Sequence, residues 1–105
     1  MTNQELIEIA TEFRKAILGR KKPKGMCAKV SWALQGFLSF MGEHTTAHES
    51  SVGDWNHVYL VTESGTVIDA TADQFSTDKK KYPPVHVGKP IKKLHNGSVF
   101  CVKGA

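Results

Sequence analysis

Apolar residues recur at helical spacing near the start of the chain. A Thr2-x-x-Glu5 pair, which has the spacing of a capping box, precedes the repeat. Gly19 follows it, and glycine commonly ends helices. The pattern therefore predicts an amphipathic helix whose apolar face lies on the core. That face consists of Leu6, Ile9, Ala10, Phe13, Ala16 and Ile17.

A second helical repeat begins near Met26 or Cys27 and ends before Gly42. Two apolar residues, Trp32 and Phe40, lie off its main stripe, which predicts a helix buried on more than one side. Residues 19–25, between the two helices, are rich in Gly, Pro and Lys and predict a loop. The main stripe of the second helix consists of Val30, Ala33, Leu34, Phe37, Leu38 and Met41.

The second half of the chain changes to strand patterns. Residues 57–62 and 66–70 are rich in β-branched and aromatic side chains, and only Glu63-Ser64-Gly65 separates them. This arrangement predicts a β-hairpin. Short strands are also predicted at 85–87 and 98–102.

Residues 43–54 are polar and lack periodicity, so they predict a loop, or a short strand with a turn. All elements together predict one α+β domain over residues 1–105, with two helices followed by an antiparallel sheet of three to five strands on the second helix. A domain of this size has one modest core. Any active site must therefore use the elements that hold the fold together.

The composition of the chain indicates in which cellular compartment this domain is expected. No apolar stretch approaches the ~20 residues of a membrane helix, and residues 1–5 lack the pattern of a secretory signal. We therefore expect no membrane association and a cytoplasmic location. Cys27 and Cys101 are expected to be free thiols in a reducing compartment, while export by another route would allow one bridge between them.

The net charge of +4 comes with three basic runs, at residues 20–24, 79–81 and 89–93. Basic surfaces can bind nucleic acid or an acidic partner. These runs lie beside Pro or Gly in turn-rich segments, and no aromatic residues interleave for base stacking. We therefore favour solvated loops, and nucleic-acid binding is the weaker interpretation.

Cys27 is placed where a helix can activate a thiol. The free amides and the dipole at a helix N-terminus favour a thiolate, and the same amides can donate to an oxyanion. A thiolate nucleophile needs an imidazole, and the imidazole needs an acceptor on its other nitrogen. Gly25, just before Cys27, would let a substrate backbone approach closely.

The predicted hairpin can supply both partners. With a three-residue loop, Tyr59 faces Asp69 and His57 faces Thr71. His57 and Asp69 are then diagonal neighbours on one face, roughly 7–8 Å apart at the backbone. A loop of even length would put them on opposite faces. Asp69 also interrupts an apolar stretch, and a buried carboxylate needs a partner.

Three blocks of the sequence resemble the papain-like/transglutaminase-like superfamily of cysteine hydrolases. They are Gly25-Met26-Cys27-Ala28-Lys29-Val30-Ser31, Asn56-His57-Val58-Tyr59-Leu60-Val61 and Gly65-Thr66-Val67-Ile68-Asp69-Ala70-Thr71-Ala72-Asp73-Gln74-Phe75. Cys, His and Asp occur in the order that the superfamily has. The blocks span about residues 25–75, and they are similar to compact papain-fold domains of bacterial toxins, effectors and phage-encoded proteins.

The resemblance implies attack of a thiol on an amide carbonyl, with Cys27 as nucleophile, His57 as base and Asp69 as orienter, without a cofactor. A protease, a glutamine deamidase and a transglutaminase-like enzyme all fit. The substrate would be a protein or peptide that offers an exposed Gln side chain or a flexible tail, because the chain has no second lobe. A phage-encoded or secreted member would act in the cytoplasm of a host cell.

The sequence departs from the papain pattern before Cys27, where residues 20–24 hold no Gln to serve as oxyanion donor. The Cys27 amide, Trp55 and Gln74 are the candidate donors or substrate contacts. Trp55 could equally cover the edge of the core.

Three alternatives remain open from the sequence. One is a non-catalytic binding or inhibitor module on the same fold, and another is nucleic-acid binding by the basic runs. The third is a metal site, which we disfavour because His44-x-x-x-His48 lacks an apolar stripe around it. Its ligands would come from Cys27, Glu43, His44, His48, Glu49, Asp54 and His57.

Overall fold

The predicted α+β architecture is confirmed in the computed structural model, which describes residues 1–99. Two helices come first and a five-stranded antiparallel sheet follows, in the strand order β4-β3-β2-β1-β5. The elements are α1 (Asn3–Leu18), α2 (Cys27–Phe40), β1 (Thr45–Val52), β2 (Trp55–Thr62), β3 (Val67–Asp69), a 3-10 helix (Ala72–Phe75), β4 (His86–Gly88) and β5 (Ser98–Val99).

Helix α1 begins and ends as its sequence predicts. The Thr2 side chain accepts a hydrogen bond from the Glu5 amide, and the Glu5 carboxylate accepts one from the Thr2 amide. At the other end, the Gly19 amide donates to the Lys15 carbonyl at 2.9 Å. An N-terminal cap of this kind contributes about 1 kcal/mol.

Helix α2 packs on β1 and β2 and also contacts α1, which itself reaches β3 and β4. Ala33 and Met41 of its predicted stripe are exposed, while the rest of the stripe is buried or partly buried. Phe13 of α1 meets Phe37 of α2 with ring centroids 5.1 Å apart. Trp32 and Phe40 do not take part in this burial, because they are 46% and 87% exposed. The prediction that they extend the buried surface is therefore wrong. The core around α2 includes Val30, Leu34, Leu38, Val58, Leu60 and Ile68.

Of the two forms predicted for residues 43–54, a loop or a short strand with a turn, the structure has the second: β1 occupies Thr45–Val52 and a turn at residues 53–54 follows. This strand pairs with β2 over its whole length, from Thr45 opposite Thr62 to Val52 opposite Trp55. Its sequence gives little sign of a strand, since one of its two buried positions is the polar residue Ser50. β1 is stabilised instead by pairing with a strand on each side.

The β2–β3 hairpin has the predicted three-residue loop. Leu60 pairs with Ile68 and Val61 with Val67, and the Thr62 amide donates to the Thr66 carbonyl at 2.9 Å. The same register places residue 59 opposite residue 69. His57 and Asp69 consequently share one face of the sheet.

The two remaining predicted strands lie near their expected positions. The strand predicted at 85–87 is β4 (His86–Gly88), and β5 (Ser98–Val99) is the described part of the strand predicted at 98–102. Cys101, and with it the possible bridge to Cys27, lies outside the described residues. Among those residues, no helix has the length and apolar character that crossing a membrane requires.

Candidate active site

The candidate nucleophile, Cys27, is the first residue of α2 and is 7% exposed. The N-cap residue Met26 makes no side-chain hydrogen bond, and the first turn of the helix carries no acidic residue. The Val58 amide donates to Sγ at 3.4 Å, and Sγ faces the Asn56 carbonyl at 3.8 Å. The thiol therefore lies against the β2 backbone on both sides of His57.

His57 and Asp69 form a fully buried pair. Asp69 Oδ2 lies 2.6 Å from His57 Nε2, and both side chains have no exposed surface. The other carboxylate oxygen, Oδ1, accepts from the Thr71 amide at 3.0 Å. The sequence-predicted pairing is therefore present as a short, charge-assisted contact.

A third residue, His95, completes the surroundings of Asp69. Its Nε2 lies 2.8 Å from Asp69 Oδ2, and its side chain is fully buried. The Ile91 amide donates to His95 Nδ1 at 2.8 Å, so the ring proton is on Nε2 and points at the carboxylate. Asp69 thus accepts from His57, His95 and Thr71.

Sequence reasoning missed His95. It lies in a turn-rich segment without strand or helix periodicity, 26 residues after Asp69. One physical consideration could have indicated a second partner for Asp69. A fully buried carboxylate needs more than one hydrogen-bond donor, and His57 alone supplies only one.

These contacts set the charge state of the site. Burial raises the pKa of Asp69, but hydrogen bonds from His57 and His95, the positive charge of His57 and the Thr71 amide outweigh it and lower the pKa to about 2. Burial lowers the pKa of His57, but its contacts with Asp69 and Cys27 raise it to about 9. A carboxylate–imidazolium pair is therefore the state at neutral pH.

The thiol responds to the same charges. Burial raises the pKa of Cys27, but hydrogen bonding to His57, the Val58 amide, the charge on His57 and the Ala28 amide together lower it below the ordinary thiol value. The pKa of the Cys27 thiol is therefore shifted toward the thiolate form. The hydrogen-bond partners of Sγ in the structure are the Val58 amide and the Asn56 carbonyl.

Gln74 bridges the imidazole and the loop that leads into α2. Its Nε2 lies 3.2 Å from His57 Nδ1 and 3.1 Å from Thr71 Oγ1, and its Oε1 accepts from the Gly25 amide at 3.4 Å. Nε2 can donate only to an unprotonated Nδ1. When His57 carries both ring protons, Gln74 has to move or turn, so the position of Gln74 is coupled to the protonation of His57.

A pocket of about 160 Å³ lies outside the triad, lined by Lys24, Trp55, Gln74 and Phe75. The ring of Phe75 meets His57 edge-on at 4.8 Å, so Gln74 and Phe75 separate the pocket from the imidazole. Trp55 is 49% exposed at the outer wall, where the Lys24 ammonium lies 4.6 Å from its ring centroid. Cys27 does not line this pocket, and Gln74, which does, contacts His57 Nδ1.

The histidine-rich segment considered as a metal site does not come together around His44 and His48. Among the described residues, the one group with metal-ligand chemistry is His57, Asp69 and His95. Both imidazoles donate N–H to the same carboxylate oxygen there, and an ion could bind only after both protons were lost. The hydrogen-bonding capacity of Asp69 Oδ2 is therefore met by the two imidazoles.

Comparisons of the chain with protein-family models, with curated proteins and with solved structures find no match.

Proposed function

We propose that the chain is a cysteine hydrolase or acyl transferase that acts on amide bonds of proteins or peptides. Cys27 is the nucleophile, His57 the base and acid, and Asp69 the orienter. The observation that carries the proposal is the buried His57–Asp69 contact of 2.6 Å. His57 lies on strand β2, next to Val58, whose amide donates a hydrogen bond to Cys27 Sγ.

The reaction follows from the ionised pair. The Cys27 thiolate forms a bond to the carbonyl carbon, and the carbonyl electrons move onto oxygen. The His57 imidazolium gives its Nδ1 proton to the leaving nitrogen, the C–N bond breaks, and an amine or ammonia departs. A thioester on Cys27 and a neutral His57 remain.

The second half returns the site to its starting state. Neutral His57 takes a proton from water, or from an acceptor amine, as that nucleophile attacks the thioester. The thiolate leaves, and the product is a carboxylic acid or a new amide. Asp69 keeps the imidazole oriented throughout, and it stays ionised because its pKa is about 2.

The contacts of Gln74 support an amide as the group that binds here. Its own carboxamide already touches the Gly25 amide through oxygen and the imidazole through nitrogen. A substrate amide that reaches Cys27 has to displace it. Gln74 Nε2 is then free to donate to the substrate oxygen, together with the Cys27 amide at the uncapped start of α2.

Acylation by p-nitrophenyl acetate tests this proposal without knowledge of the natural substrate. We expect a burst of p-nitrophenolate and one acetyl group on the peptide that contains Cys27. His57→Gln should slow the burst at least tenfold, because general base and acid groups typically contribute 10²–10⁴-fold. Cys101→Ala should acylate like the parent chain.

Two results would contradict the proposal. One is acetylation of Cys27 at the same rate in His57→Gln, which would make the thiol an ordinary one. The other is labelling confined to Cys101 in the folded parent protein.

A further inference from the structure

The pocket next to the triad carries a single ionised side chain, and its charge is positive. Of the four residues that line it, Lys24, Trp55, Gln74 and Phe75, only Lys24 ionises. The Lys24 ammonium lies 4.6 Å from the Trp55 ring centroid. A cation–π contact of this kind holds the charge at the pocket wall.

The surroundings add positive charge and little negative charge. Lys24 ends the exposed run that begins Arg20-Lys21-Lys22, and this loop leads directly into the N-terminus of α2, the positive end of its dipole. The first turn of α2 contains no acidic residue to offset the dipole.

The nearby carboxylates do not cancel this field. Asp69 is buried under two imidazoles and an amide, and Asp73 is paired with Arg14 at 2.7 Å. Asp54 is exposed in the turn before Trp55 and is not among the residues that line the pocket. A concave site with one sign of charge attracts ligands of the opposite sign.

We propose that this pocket binds an anionic side chain adjacent to the amide under attack, so that the substrates are acidic peptide segments containing Asp or Glu. The proposal rests on the proposed function, since it requires that Cys27 react with groups entering through the pocket. A volume of about 160 Å³ suits one side chain, because sites that enclose a drug-sized molecule measure about 300–1,000 Å³.

A pair of alkylating agents that differ in charge tests the proposal. Iodoacetate and iodoacetamide transfer a similar small group to the thiolate with loss of iodide, and only iodoacetate is anionic. The measured quantity is the second-order rate constant for iodoacetate divided by that for iodoacetamide, both at Cys27. Mass spectrometry monitors the two reactions at low ionic strength. Changes in the thiol pKa cancel in this ratio.

The expected result is a ratio about three- to fivefold lower in Lys24→Gln than in the parent chain, the effect of one unit charge a few ångströms away in water. Lys24→Arg keeps the charge and should keep the ratio. Lys15→Gln removes the same charge from α1, beside a different pocket, and should also leave the ratio unchanged. Salt at 0.5 M should lower the parent ratio toward that of Lys24→Gln.

Each contrary outcome identifies what has failed. An unchanged ratio in Lys24→Gln, with Cys27 still reactive toward iodoacetamide, would overturn the pocket proposal and leave the proposed function intact. An equal fall in Lys15→Gln would overturn it too, since net charge would then explain the effect. Absence of any reaction at Cys27 in all variants would overturn the proposed function and the pocket proposal with it.

Discussion

The proton positions in the site follow from one backbone amide. Ile91 donates to His95 Nδ1, which leaves the His95 proton on Nε2 and aims it at Asp69. The carboxylate, an obligate acceptor when ionised, then requires the N–H of His57 to be on Nε2. His57 Nδ1 is thereby directed to the side where Gln74 lies.

This relay makes His95 a positioning residue for Asp69, with a testable chemical signature. His95→Ala removes one of three donors to a buried carboxylate, a loss of about 1–3 kcal/mol. We expect alkylation of Cys27 by iodoacetamide to slow about tenfold. His95→Gln retains an N–H donor and should restore most of the rate.

The control for this prediction is His86→Ala. His86 stacks on His95 with ring centroids 5.6 Å apart, but its own hydrogen bond goes to the Lys89 carbonyl. It should leave the alkylation rate of Cys27 unchanged. If His95→Gln were as slow as His95→Ala at equal thermal stability, the N–H donor would not be what matters.

At the scale of elements, β5 reaches its place only because residue 97 has no side chain. A Cβ on Gly97 would lie 1.7 Å from the Glu49 carbonyl oxygen of β1. The Gly97 amide also donates to the Tyr59 hydroxyl at 3.1 Å, which ties the segment after His95 to β2. Close backbone contact is therefore part of how this segment holds His95 at the site.

Gly97→Ala should lower the free energy of unfolding by about 1–3 kcal/mol, the usual cost of overpacking. Urea denaturation measures it. Gly36→Ala is the matched control, since Gly36 is an exposed position of α2 with nothing within 4 Å of the added methyl. It should instead gain about 0.5–1 kcal/mol. An unaltered stability in Gly97→Ala would contradict the packing described for β5.

The helices and the hairpin could be predicted because their signals are local. The capping box and Gly19 mark the ends of α1, and an odd loop length alone places His57 and Asp69 on one face. β1 could be predicted only as one of two alternatives, a loop or a strand, because its polar sequence lacks a strand pattern and pairing with its neighbours decides between them. His95 depends on a turn and on contacts with β2 and β3, and neither leaves a periodic pattern in the sequence.

For the whole molecule, the charged pair ties stability to pH. The folded-state pKa of Asp69 is about 2, below its ordinary 3.8. Its contribution is therefore present above pH 3.8 and is lost as pH falls toward 2. The folded-state pKa of His57 is about 9, above its ordinary 6.5. Its contribution is present below pH 6.5 and is lost as pH rises toward 9.

The pair therefore stabilises the fold most between pH values of about 4 and 6.5. We expect the free energy of unfolding, measured with urea from pH 2.5 to 9, to decline on both sides of that range. Asp69→Asn removes the carboxylate and should make the free energy of unfolding less dependent on pH on both sides of that range. A pH dependence identical in the parent chain and in Asp69→Asn would show that other groups control stability.

The central claim is that His57 converts Cys27 into a thiolate, and one measurement tests it most directly. It is the rate of iodoacetamide alkylation at Cys27 as a function of pH, in the parent chain and in His57→Gln. The parent midpoint should lie below the ordinary thiol pKa of 9.0. In His57→Gln it should lie at or above that value, because burial is then less opposed. Superimposable profiles for the two proteins would contradict the claim.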